Sequence, residues 1–315
     1  MNEQKNNLKT IKKSRYRSVN DYFKQIFGCK VYKLSLDGGM TCPNRDGKIS
    51  CGGCIFCSEG GSGDFSEKCE NDVHNAIERA KLRVKDKIKS DKFVAYFQSF
   101  TNTHASIKRL EYLFFEAINR DDIVALSIAT RPDCLPNEVI TLLQKLNQIK
   151  PVFVELGLQT IHPSSVKFIR RGYDNCVYFE AVKKLNQIGA RVITHVILGL
   201  PGEDKKMMLE TVKSVCDSGA HGIKLQLLHV LKNTDLATYY REHPFKILQM
   251  QEYFEILSGC INLIPPDMVI HRLTGDAPKK LLIAPLWSAN KKADLNGLKE
   301  YFEKTDTYQG KYYKQ

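Results

Sequence analysis

Six short apolar, β-rich runs that alternate with helical segments constrain the fold of this chain more than any other feature. The runs are VYKLSL (31–36), FVAYFQ (93–98), IVALSIA (123–129), VFVELGL (152–158), RVITHVIL (191–198) and GIKLQLLHV (222–230). Segments between them, such as 107–119, 137–147 and 205–219, repeat apolar residues with a period of about 3.6. Strands that alternate with helices build βα units, so we expect an α/β fold whose parallel sheet is open or curled into a full or partial barrel.

The two ends of the chain differ from this alternating middle. Residues 1–33 contain nine Lys and Arg against Glu3 and Asp21, and Pro265-Pro266 follows a helical run that ends at Ile264. We therefore expect a basic N-terminal tail over 1–18 and a barrel over 19–266. Residues 267–315 should form a C-terminal extension, with a strand and a helix, that packs on the barrel.

Composition limits the compartment and the partners. No stretch approaches about 18 consecutive apolar residues, and the N-terminus shows no apolar leader, so we expect neither a membrane span nor a secretion signal. Ten cysteines in such a chain indicate reduced thiols and a cytoplasmic location. The net charge of +12, concentrated in 1–33 and 81–92, favours a polyanionic partner, although a solvated basic surface would give the same pattern.

Unusual polar or glycine-rich clusters follow the predicted strands. DGGMTCPNRDGKISCGGCIFC (37–57) follows the first strand, and Ser99 and 101–103 follow the second. TRPDC (130–134), Gln159-Thr160 and GLPGED (199–204) follow the next three. Parallel α/β folds place their chemistry at the carboxyl ends of the strands, so the pattern predicts an active site there.

Four cysteines, Cys42, Cys51, Cys54 and Cys57, fall within sixteen residues of the first of these loops. Four thiolates in a glycine-rich loop can bind zinc. Three can hold a 4Fe-4S cluster whose remaining iron takes an external ligand. The spacing alone leaves both alternatives open.

The loop resembles the cluster loop of radical S-adenosylmethionine enzymes, through CIFC at 54–57 and an upstream cysteine after the first strand. The stretch DGGMTCPNRDG…GGCIFCSEGGSGDF is similar to the YtqA/YhcC subgroup of that superfamily. Further blocks match the same subgroup in order: AYFQSFTNT (95–103), SIATRPDCLP (127–136), VELGLQT (154–160), HVILGLPGED (195–204), KLQLLHVLKNT (224–234), RLTGDAP (272–278) and YQGKYY (308–313).

This resemblance implies a partial (β/α)6 TIM-like barrel with a C-terminal extension. It implies that Cys42, Cys54 and Cys57 hold a 4Fe-4S cluster, with Cys51 outside the pattern and the set Cys51, Cys54 and Cys57 as a lesser alternative. S-adenosylmethionine would be the second cofactor, and a flavodoxin- or ferredoxin-type protein would supply electrons.

The implied activity is formation of a 5′-deoxyadenosyl radical that modifies the wobble uridine of tRNA, from 5-carboxymethylaminomethyl(2-thio)uridine to 5-aminomethyl(2-thio)uridine. Two alternatives remain at this point. The same radical chemistry could act on another tRNA or on a small molecule. A non-catalytic, zinc-stabilised nucleic-acid-binding protein would also explain the cysteines and the charge.

Cofactor and substrate contacts are assigned by residue type and position. The resemblance places Gln98, Thr101 and Asn102 near the methionine amino group, although a polar turn would look the same. A guanidinium binds a carboxylate with two hydrogen bonds, so Arg131 and Arg171 could hold a carboxylate of cofactor or substrate, or form structural salt bridges. A buried Glu155 needs a partner, so it or Gln159 is expected to meet the ribose hydroxyls or Arg131. Gly199, with no side chain, would let the backbone approach adenine closely, or simply form a strand-to-helix turn.

Lys224 and Gln226 alternate with apolar residues on the sixth strand, so both face one side of the sheet. If that side is the barrel lumen, they line the substrate cavity. His195 and His229 could donate protons there, but an isolated strand histidine is more often a hydrogen-bonded core residue, which is our expectation. Trp287 is expected to pack the C-terminal region, with base stacking as the alternative.

Overall fold

The computed structural model describes residues 14–61 and 66–313. Its strands are β1 (Tyr32–Asp37), β2 (Glu67–Lys68), β3 (Phe93–Phe97), β4 (Ile123–Thr130), β5 (Val152–Gln159), β6 (Arg191–Leu198), β7 (Gly222–Leu227), β8 (Val230–Leu231), β9 (Val269–Arg272) and β10 (Leu282–Ala284). Its α-helices are α1 (Val19–Phe27), α2 (Val73–Val84), α3 (Ile107–Ile118), α4 (Asn137–Ile149), α5 (Pro163–Phe168), α6 (Asn175–Gln187), α7 (Lys205–Asp217), α8 (Asp235–Glu242), α9 (Met250–Leu263) and α10 (Lys291–Lys304). Within the predicted basic tail, 1–13 lie outside the described residues.

Eight strands form one sheet in the order β2-β1-β3-β4-β5-β6-β7-β9, and every neighbouring pair is parallel. Its six central strands coincide with the six β-rich runs of the sequence. Over the described ranges β1 and β9 are not paired with each other, so the sheet curls without closing. The α/β partial barrel is thereby confirmed.

Alternate residues of each strand face two different layers. Leu34, Leu36 and Phe97 point outward and pack under the helices, where the rings of Phe97 and Phe114 lie 5.1 Å apart. Helix α3 buries this face through its apolar stripe, and Ser106 caps the helix by accepting from the Arg109 N–H. The opposite residues of each strand therefore line the lumen.

Helix α1 closes the lumen at the amino ends of the strands. Tyr22 and Phe23 pack against the first lumen-facing residues of four strands, which are Val94, Phe153, Ile193 and Val269. The Phe23 and Phe153 rings lie 5.6 Å apart. Because this end carries an apolar plug, the polar mouth of the barrel is at the carboxyl ends of the strands.

The C-terminal segment joins the barrel in three ways. Strand β9 pairs with β7 in the main sheet, and Ser18 forms an isolated parallel bridge with Ile270. The Arg15 guanidinium donates to the Asp306 carboxylate at 3.0 Å. The boundaries at 18 and 266 stay predictions. None of the described helices has the length and apolar content that crossing a bilayer requires.

The described parts of the two basic segments, 14–33 and 81–92, approach the plugged end of the barrel. Residues 85–92 immediately precede β3, as 28–31 precede β1, so both approach the amino ends of the strands. Several of the basic residues are also engaged: Lys81 pairs with Asp122 and Arg83 with Glu67. The basic residues of 14–33 and 81–92 therefore do not surround the mouth.

Candidate active site

The cysteine loop runs between β1 and β2 at the mouth of the barrel. The Arg45 N–H donates to the Cys42 carbonyl at 2.7 Å, and the Cys57 N–H donates to the Cys54 carbonyl at 2.9 Å. Gly53 has a φ of +74°, a backbone conformation that favours glycine, and its N–H donates to Asn44. These turns fold the loop back on itself and bring its cysteines together.

Cys42 and Cys57 both act electrostatically on Cys54. Burial and the neighbouring Cys57 raise the pKa of Cys54 to about 11, and Cys42 contributes in the same direction. The Asn44 side-chain amide donates to Cys54 Sγ at 3.5 Å, and the Arg131 charge opposes the rise in pKa. Cys51, in contrast, is exposed. The three predicted ligands are therefore coupled at one place.

These thiols fit the chemistry of a cluster. Thiolates are the protein ligands of iron–sulfur clusters, and three of them can hold a 4Fe-4S cluster whose remaining iron takes an external ligand. Over residues 14–61 and 66–313, no three or more His, Cys, Asp or Glu side chains are placed to hold a single metal ion. Metal binding would replace the proton that the raised pKa keeps on Cys54.

Buried acceptors without a partner surround the mouth. Among the described residues, Asn44 Oδ1, Asn102 Oδ1 and Gln159 Oε1 receive no hydrogen bond. Unpaired buried polar atoms are costly, so they indicate a ligand that donates. The ammonium and ribose hydroxyls of S-adenosylmethionine are donors of this kind, and two of the three residues, Asn102 and Gln159, were assigned to it from the sequence.

The neighbouring loops hold the remaining predicted contacts of the amino end. The Asn102 amide donates to the Ala129 carbonyl at 2.9 Å, and the Thr101 N–H donates to the Thr41 carbonyl at 3.2 Å. The Gln98 amide donates to Ser66 Oγ at 3.0 Å. The Thr101 N–H thus links the loop after β3 to the cysteine loop. Gln98 directly follows β3, next to β1.

The two predicted arginines, Arg131 and Arg171, differ in how many N–H donors they already use within the protein. All five N–H donors of Arg171 are used inside the protein, on the carbonyls of Leu158, Thr160 and Tyr173 and on Asn175. Arg171 therefore holds loops together and has no donor for a cofactor carboxylate. Arg131 forms two hydrogen bonds with Asp133, at 2.9 and 2.7 Å, beside the cysteines.

Gly199 has a structural reason to be glycine. Its φ is +91°, and a Cβ at this position would lie 2.9 Å from Leu248 Cδ1. The missing side chain thus faces Leu248, and the assignment of Gly199 to adenine stays a prediction.

Glu155 lies at the centre of the lumen in a network built from six strands. Oε1 accepts from Lys33 Nζ and Ser127 Oγ, both at 2.7 Å. Oε2 accepts from the Tyr96 hydroxyl at 2.9 Å, from His195 Nε2 at 2.8 Å and from Lys224 Nζ. The sequence raised a contact between Glu155 and Arg131, but each has other partners in the structure.

Burial and neighbouring charges set the protonation of this network. The ammonium groups of Lys224 and Lys33 hold the pKa of Glu155 well below its usual range, although burial opposes them. Burial lowers the pKa of Lys224 to about 7 and that of His195 to about 4. At neutral pH Glu155 is a carboxylate and His195 is a neutral hydrogen-bonded residue, as the sequence suggested for this histidine.

Lys224 and Gln226 share the lumen face of β7, with Lys224 buried and Gln226 partly exposed. Sequence reasoning missed Lys33, Tyr96 and Ser127, although the two-residue alternation of each strand places all three on the same face as Glu155. Outside the lumen, His229 bonds Ser288 at 3.0 Å, and the Trp287 indole donates to the Leu248 carbonyl at 3.0 Å. Trp287 thus packs the C-terminal region as expected.

A partial barrel with three coupled cysteines after its first strand defines the class of protein. Residues 42–215 match the Radical SAM superfamily, and residues 220–304 match the Radical_SAM C-terminal domain. The chain therefore belongs to the radical S-adenosylmethionine superfamily. It is an enzyme that uses a 4Fe-4S cluster and S-adenosylmethionine, so the non-catalytic zinc alternative does not hold.

Individual relatives agree with this assignment. The chain is 44% identical over 299 residues to YtqA of Bacillus subtilis (strain 168). The alignment covers 95% of this chain and 93% of YtqA, which confirms the subgroup. A tRNA uridine(34) acetyltransferase of Methanocaldococcus jannaschii is 29% identical over 170 residues, or 53% of this chain and 31% of that protein. The solved structure of archaeal Methanocaldococcus infernus Elp3 has the same fold, with a TM-score of 0.66 and 20% identity over 89% of this chain and 64% of that one.

Proposed function

We propose that this enzyme modifies the wobble uridine of tRNA, converting 5-carboxymethylaminomethyl(2-thio)uridine to 5-aminomethyl(2-thio)uridine in the cytoplasm. One observation carries the choice of substrate: the similarity over 170 residues to a protein named for acting on uridine 34 of tRNA. The ten cysteines, all described and none in a disulfide, support a reducing compartment.

The chain's own residues would hold the two cofactors at the mouth. Cys42, Cys54 and Cys57 would ligate the cluster, while Asn102 and Gln159 would accept from S-adenosylmethionine. When bound and reduced by a flavodoxin- or ferredoxin-type donor, these cofactors supply a 5′-deoxyadenosyl radical. Helix α1 covers the floor of the lumen below.

The substrate chemistry balances with one further electron acceptor. The carbon between the nitrogen and the carboxylate loses a hydrogen atom, which leaves as part of 5′-deoxyadenosine. Loss of a second electron to a one-electron carrier and of the N–H proton gives an imine. Water then cleaves the C=N bond into the 5-aminomethyl group and glyoxylate.

The lumen offers groups that suit the carboxylate of this substrate. Lys224, buried on β7, donates to Glu155 and to the Tyr96 hydroxyl at 3.1 Å, and an ammonium has a third donor. Gln226, two residues towards the mouth, can donate an amide N–H. Plain uridine has no anionic arm for these groups to bind.

An assay with modified tRNA tests the proposal. Anaerobically reconstituted enzyme and S-adenosylmethionine are incubated with a partly reduced flavodoxin, which can both supply and accept single electrons, and with tRNA that carries 5-carboxymethylaminomethyluridine, and the nucleosides are separated by mass spectrometry. We expect 5-aminomethyluridine, glyoxylate and 5′-deoxyadenosine to appear together, and Cys54→Ser to form none of them. If 5′-deoxyadenosine accumulates while the nucleoside stays unchanged, another tRNA or a small molecule is the substrate.

A further inference from the structure

A further cavity enters the barrel from the side. Its volume is about 270 Å³, and it lies between β1 and β9, where the sheet is not closed. Helix α1 forms one wall through Val19, Asn20 and Phe23. Strand residues form much of the remaining lining and include Lys33, Ser35, Tyr96, Lys224, His271 and Arg272. We call this space the seam cavity.

The lining of the seam cavity is strongly cationic. Lys30, Lys33, Lys224 and Arg272 all face it, and no Asp or Glu is among its lining residues in the described ranges. Two carboxylates lie behind these cations: Glu155 accepts from both buried lysines, and Asp276 lies 3.2 Å from Arg272. Lys30, Lys33 and Arg272 against two carboxylates leave a surplus of positive charge directed at the cavity, and Lys224, with a pKa of about 7, adds to it when protonated.

Donors also remain for a bound anion. Lys33 donates to Glu155 and Ser127, and Lys224 donates to Glu155 and Tyr96. Each ammonium has three N–H groups, so each retains one. Arg272 contacts Asp276 through Nη2 and keeps other guanidinium donors for planar recognition of a carboxylate.

The size of the space suits a small occupant. With a volume of about 270 Å³, the cavity has room for an acid of two or three carbons with its hydration. Lys224 belongs both to this cavity and to the lumen network, so the cavity reaches the group proposed to hold the substrate carboxylate.

We propose that the seam cavity is a binding site for a small carboxylate, and that its occupant is the two-carbon 2-oxo acid released by the reaction. The identity of the occupant rests on the proposed function. The site itself rests on the cations and on the opening between β1 and β9.

Isothermal titration calorimetry of the reconstituted holoenzyme with glyoxylate tests this site, with inorganic phosphate as the competing anion. Arg272→Gln removes one charge-assisted contact and should weaken the Kd of glyoxylate by about tenfold. Asp276→Asn frees Arg272 from its present partner and should tighten binding severalfold. Lys206→Gln, a charge change on an α7 side chain that is 84% exposed, should leave the Kd unchanged.

Three results would overturn the site: no heat of binding in the wild type, an unchanged Kd in Arg272→Gln, or tighter binding of phosphate than of glyoxylate. Thermal melting of each variant shows whether it is folded, and Lys30→Gln at the exposed rim provides a second weakening variant. Binding is measured without turnover. An enzyme that binds glyoxylate but leaves the tRNA unmodified would therefore contradict the proposed function and retain the carboxylate site.

Discussion

The hydrogen-bond partners of a buried polar residue indicate whether that residue stabilises the fold or is available to a ligand. Arg171 and Glu155 are both buried, and both are saturated with hydrogen bonds from their own chain. Asn102 and Gln159 are equally close to the mouth, but each keeps an acceptor that nothing described satisfies. Saturated groups stabilise the fold, and unsatisfied ones mark where a ligand is needed.

The four cysteines of the loop also differ in their surroundings. Because Cys42, Cys54 and Cys57 are coupled whereas Cys51 is exposed, we predict that serine at any of the first three abolishes iron binding and that Cys51→Ser retains it. Iron and sulfide analysis of the four single variants after anaerobic reconstitution measures this. Loss of iron from Cys51→Ser together with its retention in Cys42→Ser would favour the alternative set Cys51, Cys54 and Cys57.

His195 links the lumen network to the pH dependence of stability. Its pKa of about 4 in the folded protein lies below the usual 6.5, so the stabilisation is complete above pH 6.5 and is lost as the pH falls towards 4. The difference corresponds to about 3 kcal/mol at most. In urea unfolding at pH 7.5 and pH 5, wild type should lose more free energy of unfolding than His195→Gln; equal losses would mean that His195 titrates normally.

At the scale of elements, the turn after β6 separates two costs of replacing a glycine: the strain of a positive φ and the steric contact of a new Cβ. Gly199 and Gly202 have φ values of +91° and +83°, but only a Cβ at 199 meets another group, Leu248. Alanine in this backbone region costs about 1–2 kcal/mol, so we expect that loss of stability in Gly202→Ala. Gly199→Ala should lose about 1 kcal/mol more because Leu248 must move. Urea unfolding compares the two variants, and equal losses would contradict the packing argument.

The elements were also the most predictable part of the structure. Each β-rich run of the sequence became a strand because a strand buried on both faces needs a nearly continuous apolar run. The lumen network was only half predicted: Glu155 and Lys224 stand out in apolar surroundings, whereas Lys33 and Tyr96 become visible only when the register between strands is known. Local sequence does not specify which strands are neighbours, and the network depends on that arrangement.

At the scale of the whole molecule, the two ends of the barrel differ. The mouth carries a groove of about 540 Å³ beside the cysteine loop, lined by Asn44, Lys167 and Arg170 among others. The described basic residues of 14–33 and 81–92 approach the plugged end. Charge counted along a chain does not specify which end of a barrel it occupies, so the expected polyanion surface stays a prediction.

A pair of matched double variants tests which end meets tRNA. Lys48 and Lys167 are exposed at the mouth, and Lys85 and Lys89 are exposed at the plugged end. If the mouth pair contacts two phosphates, replacing both by glutamine should flatten the slope of log K against log salt by about 1.5. The same change at Lys85 and Lys89 should leave the slope unaltered. Filter binding across a salt series measures both, and a flattened slope only in the second variant would place tRNA at the plugged end.

The floor of the barrel is assembled from both ends of the sequence, since α1 plugs it and β9 completes its far edge. Contacts between positions some 250 residues apart, such as Arg17 with the Asp267 carbonyl, form only after nearly all of the chain has left the ribosome. The cysteine loop is synthesised early and must wait, with its thiols exposed, while the remaining strands are made. Folding that depends on such distant contacts is slow. Insertion of the cluster would then be a late event, belonging to the finished chain rather than to the nascent one.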